Sequence, residues 1–279
     1  MQQHERIGFI GLGNMGGGLA LRLLRAGYPM IVVDLDETKM SPLVQEGAAA
    51  ASSPREVAQS STIVIASLQS GAVAEVACGR DGIAEGAAEG LAFVDLSSAP
   101  PELAVHLAQR LKASGVAMLD APVSGADIGA TNGNLTLFVG GEYATYQRCL
   151  PVLQHIGRTV TYLGKSGNGQ IAKRVNQMMQ AISELAIYEG LLLAKKMGLD
   201  PMMFARAAAG GCAQSWRLDE LVDAVLNKGE RPYRLRLRPG RTGNALEMAG
   251  SIGLSLPGAE AAHRVFSERG WQVVIDGEK

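Results

Sequence analysis

Gly11, Gly13 and Gly16 follow the short apolar run Ile7 to Ile10 in the order Gly-x-Gly-x-x-Gly. The three glycines serve different ends. Gly11 permits a tight turn, Gly13 lets backbone approach a pyrophosphate, and Gly16 lets a helix lie close on a strand. With Leu12, Asn14 and Met15 they form a loop that opens a helix near Asn14, where unpaired N–H groups and the positive dipole end face the phosphates. Asp34, eighteen residues after Gly16, closes a second apolar run. An acid there accepts ribose hydroxyls and repels a 2'-phosphate, so the expected cofactor is NAD in preference to NADP. A glycine turn that merely packs a helix on a sheet is the bland alternative, and the flanking strands together with Asp34 argue against it.

A second constellation lies on a segment that reads as one long helix, about thirty residues from Gly167 without proline until Pro201. Lys173, Asn176, Gln177, Gln180 and Glu184 are spaced to share one side of it, and only one of them is a cation. The opposite stripe, Ile171, Val175, Met178, Ile182, Leu185 and Ala186, is expected to face a core. The polar side is either a solvated face or the lining of a cleft. Its start beside GKSGNG, immediately after the nucleotide segment, favours the cleft.

The elements that must position these groups follow from the apolar runs. After Asp34 such runs recur at 62–66, 91–95 and 116–119, separated by segments rich in Ala, Glu and Leu, and this alternation implies a parallel sheet covered by helices. Two further runs, 134–139 and 159–163, extend that sheet to Gly164, where the domain boundary is placed. The reading is α/β: a Rossmann-like dinucleotide-binding domain over 1–164 and an all-α substrate and oligomerisation domain over 165–279, joined by the long helix. The segment 231–241, rich in arginine, is the one part of the second domain without a helical pattern.

Composition narrows the partners. With 26 basic and 27 acidic residues the net charge is -1, so no global field draws the chain to nucleic acid or to an anionic membrane. Three scattered cysteines, Cys78, Cys149 and Cys212, form neither a disulfide framework nor a zinc site, and no metal is expected. The first residues run almost directly into the first strand, leaving no room for a signal segment, and no stretch reaches the length of a membrane span. A cytoplasmic enzyme acting on small molecules is expected.

Three motifs, GLGNMGGGLA, DAPVSGADIGATNGNLTLFVGG and GNGQIAKRVNQ, occur in order along the chain, which resembles the β-hydroxyacid dehydrogenases over nearly its whole length. That family includes 3-hydroxyisobutyrate dehydrogenases and tartronate semialdehyde reductases. The resemblance implies a 6-phosphogluconate dehydrogenase-like fold, a homodimer or homotetramer, and NAD-dependent interconversion of a small 3-hydroxy acid and its semialdehyde. It makes Lys173 the catalytic lysine and Asn176 the substrate-orienting asparagine. Elementary chemistry agrees: the ammonium donates a proton to a developing alkoxide, and the neutral amine takes it back in oxidation. Lysine ordinarily titrates near ~10.4, so the base role needs desolvation or a nearby positive charge. By the same resemblance Ser124, Gly125 and Ala126 form the substrate loop, and Leu68 and Ser98 lie near the cofactor.

The chain departs from the family pattern at three places. Gln177 stands for a second asparagine, Ala126 for a glycine, and Gly240 with Arg241 for a Lys-Asp pair whose lysine approaches the cofactor. Arg238 or Arg241 is the candidate replacement. Two alternative functions follow: reduction of another small carbonyl or an imine, which Lys173 speaks against, and a non-catalytic NAD-binding regulatory module.

Overall fold

A computed structural model describes residues 5–125, 133–230, 233–236, 239–269 and 272–275. Two compact units divide it, Met1–Lys173 and Arg174–Lys279.

In the first unit each apolar run becomes a strand. The strands β1 (Ile7–Ile10), β2 (Met30–Val33), β3 (Ala49–Ala50), β4 (Ile63–Ala66), β5 (Ala92–Asp95) and β6 (Ala117–Asp120) pair in parallel in the order β3-β2-β1-β4-β5-β6. The far edge departs from the expected parallel pattern. There β8 (Thr136–Gly141) runs antiparallel to β6 and to the two-residue β7 (Val123–Ser124), while β9 (Thr159–Tyr162) pairs parallel with β8. Alternate residues of a strand face opposite sides of a sheet. Accordingly Ile7, Phe9, Ile63 and Ile65 enter one buried cluster, and Ile10, Val64 and Ala66 enter another on the other face.

Helices cover both faces because their apolar residues recur at helical spacing. The helix α1 (Gly16–Arg25) buries Leu19, Ala20 and Leu23. After α2 (Ser41–Gln45), α3 (Pro54–Ser60), α4 (Val73–Cys78) and α5 (Ile83–Gly86), the helix α6 (Pro101–Lys112) starts on a proline suited to its first turn and buries Ala104, Leu107 and Leu111. The helix α7 (Tyr143–Ile156) precedes β9. The chain reverses between β1 and β4, and β1 ends at the glycine loop, the switch point where ligands bind in open α/β sheets.

The long helix α8 (Asn168–Lys196) has 29 residues, as the proline-free interval predicted. Its first six residues belong to the first unit, so that unit extends past Gly164, the sequence-based boundary. Its burial corrects the expected apolar face. Ile171 and Val175 are 41% and 38% exposed and Ala186 is exposed, whereas Ala181, Glu184, Leu185, Leu191 and Ala194 are buried. The second unit continues through α9 (Pro201–Ala209), α10 (Trp216–Val222), α11 (Pro239–Gly250) and α12 (Pro257–Arg269). Asp200 and Ser215 cap α9 and α10 by accepting N–H groups of the first turn. The arginine-rich segment contributes β10 (Tyr233–Arg236), which pairs antiparallel with β11 (Gln272–Ile275). That ribbon is the unit's departure from an all-helical pattern.

Candidate active site

The glycine loop has the geometry its spacing demands. Gly11 adopts φ +88°, and a Cβ there would also meet Ser67 O at 2.5 Å and Leu68 Cδ2 at 2.8 Å. A Cβ at Gly16 would strike the Gly11 carbonyl, so α1 rests against the loop only with glycine at that place. At Gly13, by contrast, a Cβ would meet nothing within 4 Å. That open space lies at the positive dipole end of α1 and fits a pyrophosphate, although the N–H groups of Gly17 and Leu19 turn back to Gly13 O and Met15 O.

Asp34 does more than the sequence reading assigned it. Its Oδ2 accepts Leu12 N–H at 2.6 Å and its Oδ1 accepts Asp36 N–H at 2.9 Å, with Lys39 Nζ 3.6 Å from Oδ1. The carboxylate therefore holds the glycine loop in shape, and the Leu12 amide serves Asp34. Carboxylate oxygens have further lone pairs, which leaves capacity for ribose hydroxyls.

The second half of the site gathers around the start of α8. Asp120, at the end of β6, is buried; its Oδ1 accepts Gly167 N–H at 2.8 Å and its Oδ2 accepts Gln170 N–H at 3.1 Å. This is a helix cap supplied from a strand. Gly169 makes it possible, since a Cβ there would strike the carbonyls of Asp120 and Phe138. Beyond Asp120 the chain turns through Val123, Ser124 and Gly125. Gly125 has φ +138°, and a Cβ on it would lie 2.8 Å from Leu135 Cδ2. Lys173 Nζ donates to Val123 O at 2.6 Å, which brings the predicted lysine beside the predicted substrate loop. Ala126 lies outside the described residues.

Of the predicted cofactor contacts on the neighbouring loops, Ser98 is exposed and Leu68 half-buried. Three buried residues hold them in place, and the sequence reading gave none of these a role. Ser97 Oγ accepts Leu68 N–H at 2.9 Å, and Ser97 N–H donates to Asp95 Oδ1 at 2.9 Å. Gln170 accepts Ala99 N–H at 3.0 Å and donates to Ser97 O at 2.8 Å. A signal existed in the polar residues that end β5 and β6, because Asp95 and Asp120 stand opposite each other in register. Burial pushes Asp95 from 3.8 up to about 7, against the Ser97 hydrogen bonds that lower it, and the Asp120 charge adds to the rise. Burial likewise raises Asp120, against the backbone N–H groups it accepts. Asp95 Oδ2 has no hydrogen-bond partner among the described residues.

Within the second unit, Asn176 lies one turn beyond Lys173 on α8 and is half-buried. Glu184, read from sequence as part of the cleft-lining stripe, is instead 1% exposed. Its Oε1 accepts Arg241 NH1 at 2.7 Å and forms an ion pair with Arg217 Nε at 2.6 Å. Arg241, a candidate to replace the family lysine, is thus engaged with Glu184; Arg238 lies outside the described residues. Among the described residues no group of three His, Cys, Asp or Glu could hold a metal, and no helix is long and apolar enough to cross a membrane. Two adjoining cavities of about 490 Å³ each share Val105, Gln109, Lys165 and Ser166 and contain none of the predicted site residues.

Comparison with known proteins places these features. Residues 6–164 match the family model described as the NAD binding domain of 6-phosphogluconate dehydrogenase. Residues 167–273 match the one described as NAD-binding of NADP-dependent 3-hydroxyisobutyrate dehydrogenase. The chain is 33% identical to the 2-hydroxy-3-oxopropionate reductase of Escherichia coli, over 94% of its own length and 90% of that protein's. It is 34% identical to the 3-hydroxyisobutyrate dehydrogenase of Pseudomonas aeruginosa, over 94% and 91%. Among solved structures, the 3-hydroxyisobutyrate dehydrogenase of Mycobacterium tuberculosis with L-serine superposes with a TM-score of 0.84 at 27% identity, covering 96% of this chain and 94% of that one.

Proposed function

Because the chain belongs to the β-hydroxyacid dehydrogenase family of NAD(P)-dependent oxidoreductases acting on CH–OH groups, we propose that it interconverts a small 3-hydroxy acid and its semialdehyde, of the 3-hydroxyisobutyrate or tartronate semialdehyde type, with Lys173 as general acid/base. The observation that carries this reading is the 2.6 Å contact of Lys173 Nζ with Val123 O, one residue from Ser124.

The loop of Gly11, Leu12, Gly13, Asn14, Met15 and Gly16, its Leu12 amide held by Asp34, cradles the dinucleotide's phosphates, Asp34 holds its adenosine ribose, and Leu68 and Ser98 its nicotinamide end. When bound in reduced form, that cofactor supplies a hydride to the carbonyl carbon. Ser124 and the backbone N–H groups around Gly125 and Ala126 hold the substrate carboxylate, and Asn176 orients the oxygen on the reacting carbon. Lys173 supplies the proton that this oxygen needs as it gains charge, a role that contributes about 10²–10⁴-fold in such reactions. In oxidation the neutral amine removes it. Asp34 disfavours a 2'-phosphate, so NAD is the preferred cofactor.

The second unit supports self-association as a homodimer or homotetramer. Leu192 and Leu193 on the second half of α8, Met197 and Leu199 in the connection after it, and Met203 and Phe204 on α9 are exposed, and exposed apolar residues gathered along one stretch mark interaction surfaces. A charge at Leu193 is expected to lower the mass measured by light scattering, and an unchanged mass refutes this interface.

The deciding experiment is NADH consumption by the wild type and by Lys173→Ala over a panel of small semialdehydes, including tartronate and methylmalonate semialdehydes. Turnover that collapses in the variant supports the reading. NADH binding with no turnover on any of them overturns it.

A further inference from the structure

Gln170 has no part in the chemistry above, yet it is 1% exposed and stands three residues before Lys173 on the same side of α8. Its side-chain amide makes two opposed hydrogen bonds to a single loop: Oε1 accepts Ala99 N–H at 3.0 Å, and Nε2 donates to Ser97 O at 2.8 Å. Its backbone N–H donates to Asp120 Oδ2 at 3.1 Å. One residue thereby ties three segments: the loop that carries Ser98, the strand end that leads to Val123 and Ser124, and the helix turn that presents Lys173. Lys173 Nζ completes the circuit on Val123 O. An apolar side chain of similar size would fill the same space without the cost of burying an amide. What the amide adds is direction, because a slide or rotation of the helix by about an ångström would carry both bonds outside hydrogen-bonding range.

We propose that Gln170 is a positioning residue: it fixes the rotation and height of the first turns of α8 against the loop carrying Ser98, and so sets the reach of Lys173 Nζ. This rests on the reading of Lys173 as acid/base. With 1% of its surface exposed the side chain is out of reach of substrate and cofactor, so its removal acts chiefly on the proton-transfer geometry and reaches cofactor affinity only through the Ser98 loop, which the Asp95–Ser97–Leu68 hydrogen bonds also hold. A misplacement of about 1 Å at such a distance costs on the order of 10²-fold in rate.

The test compares Gln170→Leu, Gln170→Glu, Lys173→Ala and wild type in steady-state reduction of the best semialdehyde, with NADH affinity from fluorescence titration and folding from urea midpoints. Gln170→Leu is expected to lower kcat by roughly 10²-fold while NADH affinity stays within about threefold. In Gln170→Glu the introduced carboxyl, when protonated, can donate to Ser97 O and accept from Ala99 N–H as the amide does; when ionised it sets a bare oxygen against Ser97 O. Its kcat should therefore approach wild type at acid pH and fall as pH rises, with an inflection absent from the wild type. Burial beside Asp95 and Asp120 places that inflection above the ordinary carboxyl range.

A Gln170→Glu profile parallel to wild type overturns the proposal, as does a Gln170→Leu enzyme that folds and keeps kcat within about threefold. If Gln170→Leu fails to fold, the Gln170→Glu profile decides alone. The two ideas fail separately. Lys173→Ala with wild-type kcat removes the acid/base reading and this inference with it, whereas collapse of Lys173→Ala beside an unaffected Gln170 pair removes only the inference.

Discussion

The helix Asn168–Lys196 is anchored by buried polar groups at two places, and they use different physics. At its first turn the Gln170 side chain meets backbone N–H and C=O groups of the loop after β5, and the Asp120 carboxylate at the end of β6 accepts the backbone N–H groups of Gly167 and Gln170. Further along, within the second unit, Glu184 meets two arginines, Arg217 of α10 and Arg241 of α11. Backbone hydrogen bonds are short and directional, and here they run between the helix start and the ends of β5 and β6, so they fix where a side chain lies. The Glu184 cluster gathers flexible side chains around one charge. It selects which helices come together, and its geometry is looser: Arg217 Nε is close to Oε1 without a well-aligned hydrogen bond. Groups near the proposed chemistry are thus held by backbone, and groups that assemble the helical unit are held by charge.

Four substitutions probe that contrast. The largest effect is expected for Lys173→Ala, a fall of about 10²–10⁴ in kcat with NADH binding and urea midpoint nearly retained, because only the Nζ bond to Val123 O is lost and the Gln170 and Asp120 anchors stay. A loss of folding instead of rate would erase the distinction between the two anchors. Next comes Glu184→Gln, which takes the buried carboxylate away from two half-buried arginines, Arg217 keeping its pair with Glu220, and should cost about 1–3 kcal/mol of stability. The readout is the urea midpoint, and a change of under about 1 kcal/mol would show that the cluster is solvated and structurally idle.

Asp34→Asn should act on specificity. It removes the charge facing a 2'-phosphate but keeps one oxygen to accept from Leu12 or Asp36 N–H, so the ratio of kcat/KM for NADPH to that for NADH should rise roughly tenfold or more. An unchanged ratio would point to Lys39, 3.6 Å away, as already offsetting Asp34.

The smallest effect is a pH dependence. Asp95 is raised from 3.8 to about 7 by burial. Between those values the folded chain holds a proton that the unfolded chain has released, so the Asp95 contribution to stability falls as pH rises from about 4 to about 7 and is level above. Asn carries no such proton. The difference in urea midpoint between wild type and Asp95→Asn should shift against the wild type across that window, and a constant difference would mean that Asp95 is ionised throughout.

Much of this was legible in order along the chain. The glycine spacing, the run of strands, the proline-free interval from Gly167 and the three motifs each depend on neighbours within a few residues or on simple periodicity, so the first domain and the long helix could be read directly, with Asp34, Ser124 and Lys173 as candidates on them. The helix phase could not. Ile171 and Val175 satisfy the spacing of a buried stripe and yet are exposed, while Glu184 satisfies that of a polar one and is buried. Periodicity identifies which residues share a side, and the partners that arrive decide which side is covered.

The sequence alone determined that this chain carries a dinucleotide loop, a parallel sheet and a lysine on a long helix, because turns, strand alternation and helix spacing are local properties. Only the tertiary structure decided that Asp34 serves the glycine loop, that Asp120 caps a helix starting 48 residues later in the chain, that Gln170 binds the loop at Ser97, and that Glu184 gathers two arginines. Each of these joins residues 22 to 73 positions apart. Their partners are mostly backbone groups, which every residue possesses, so no residue type in the sequence marks them in advance.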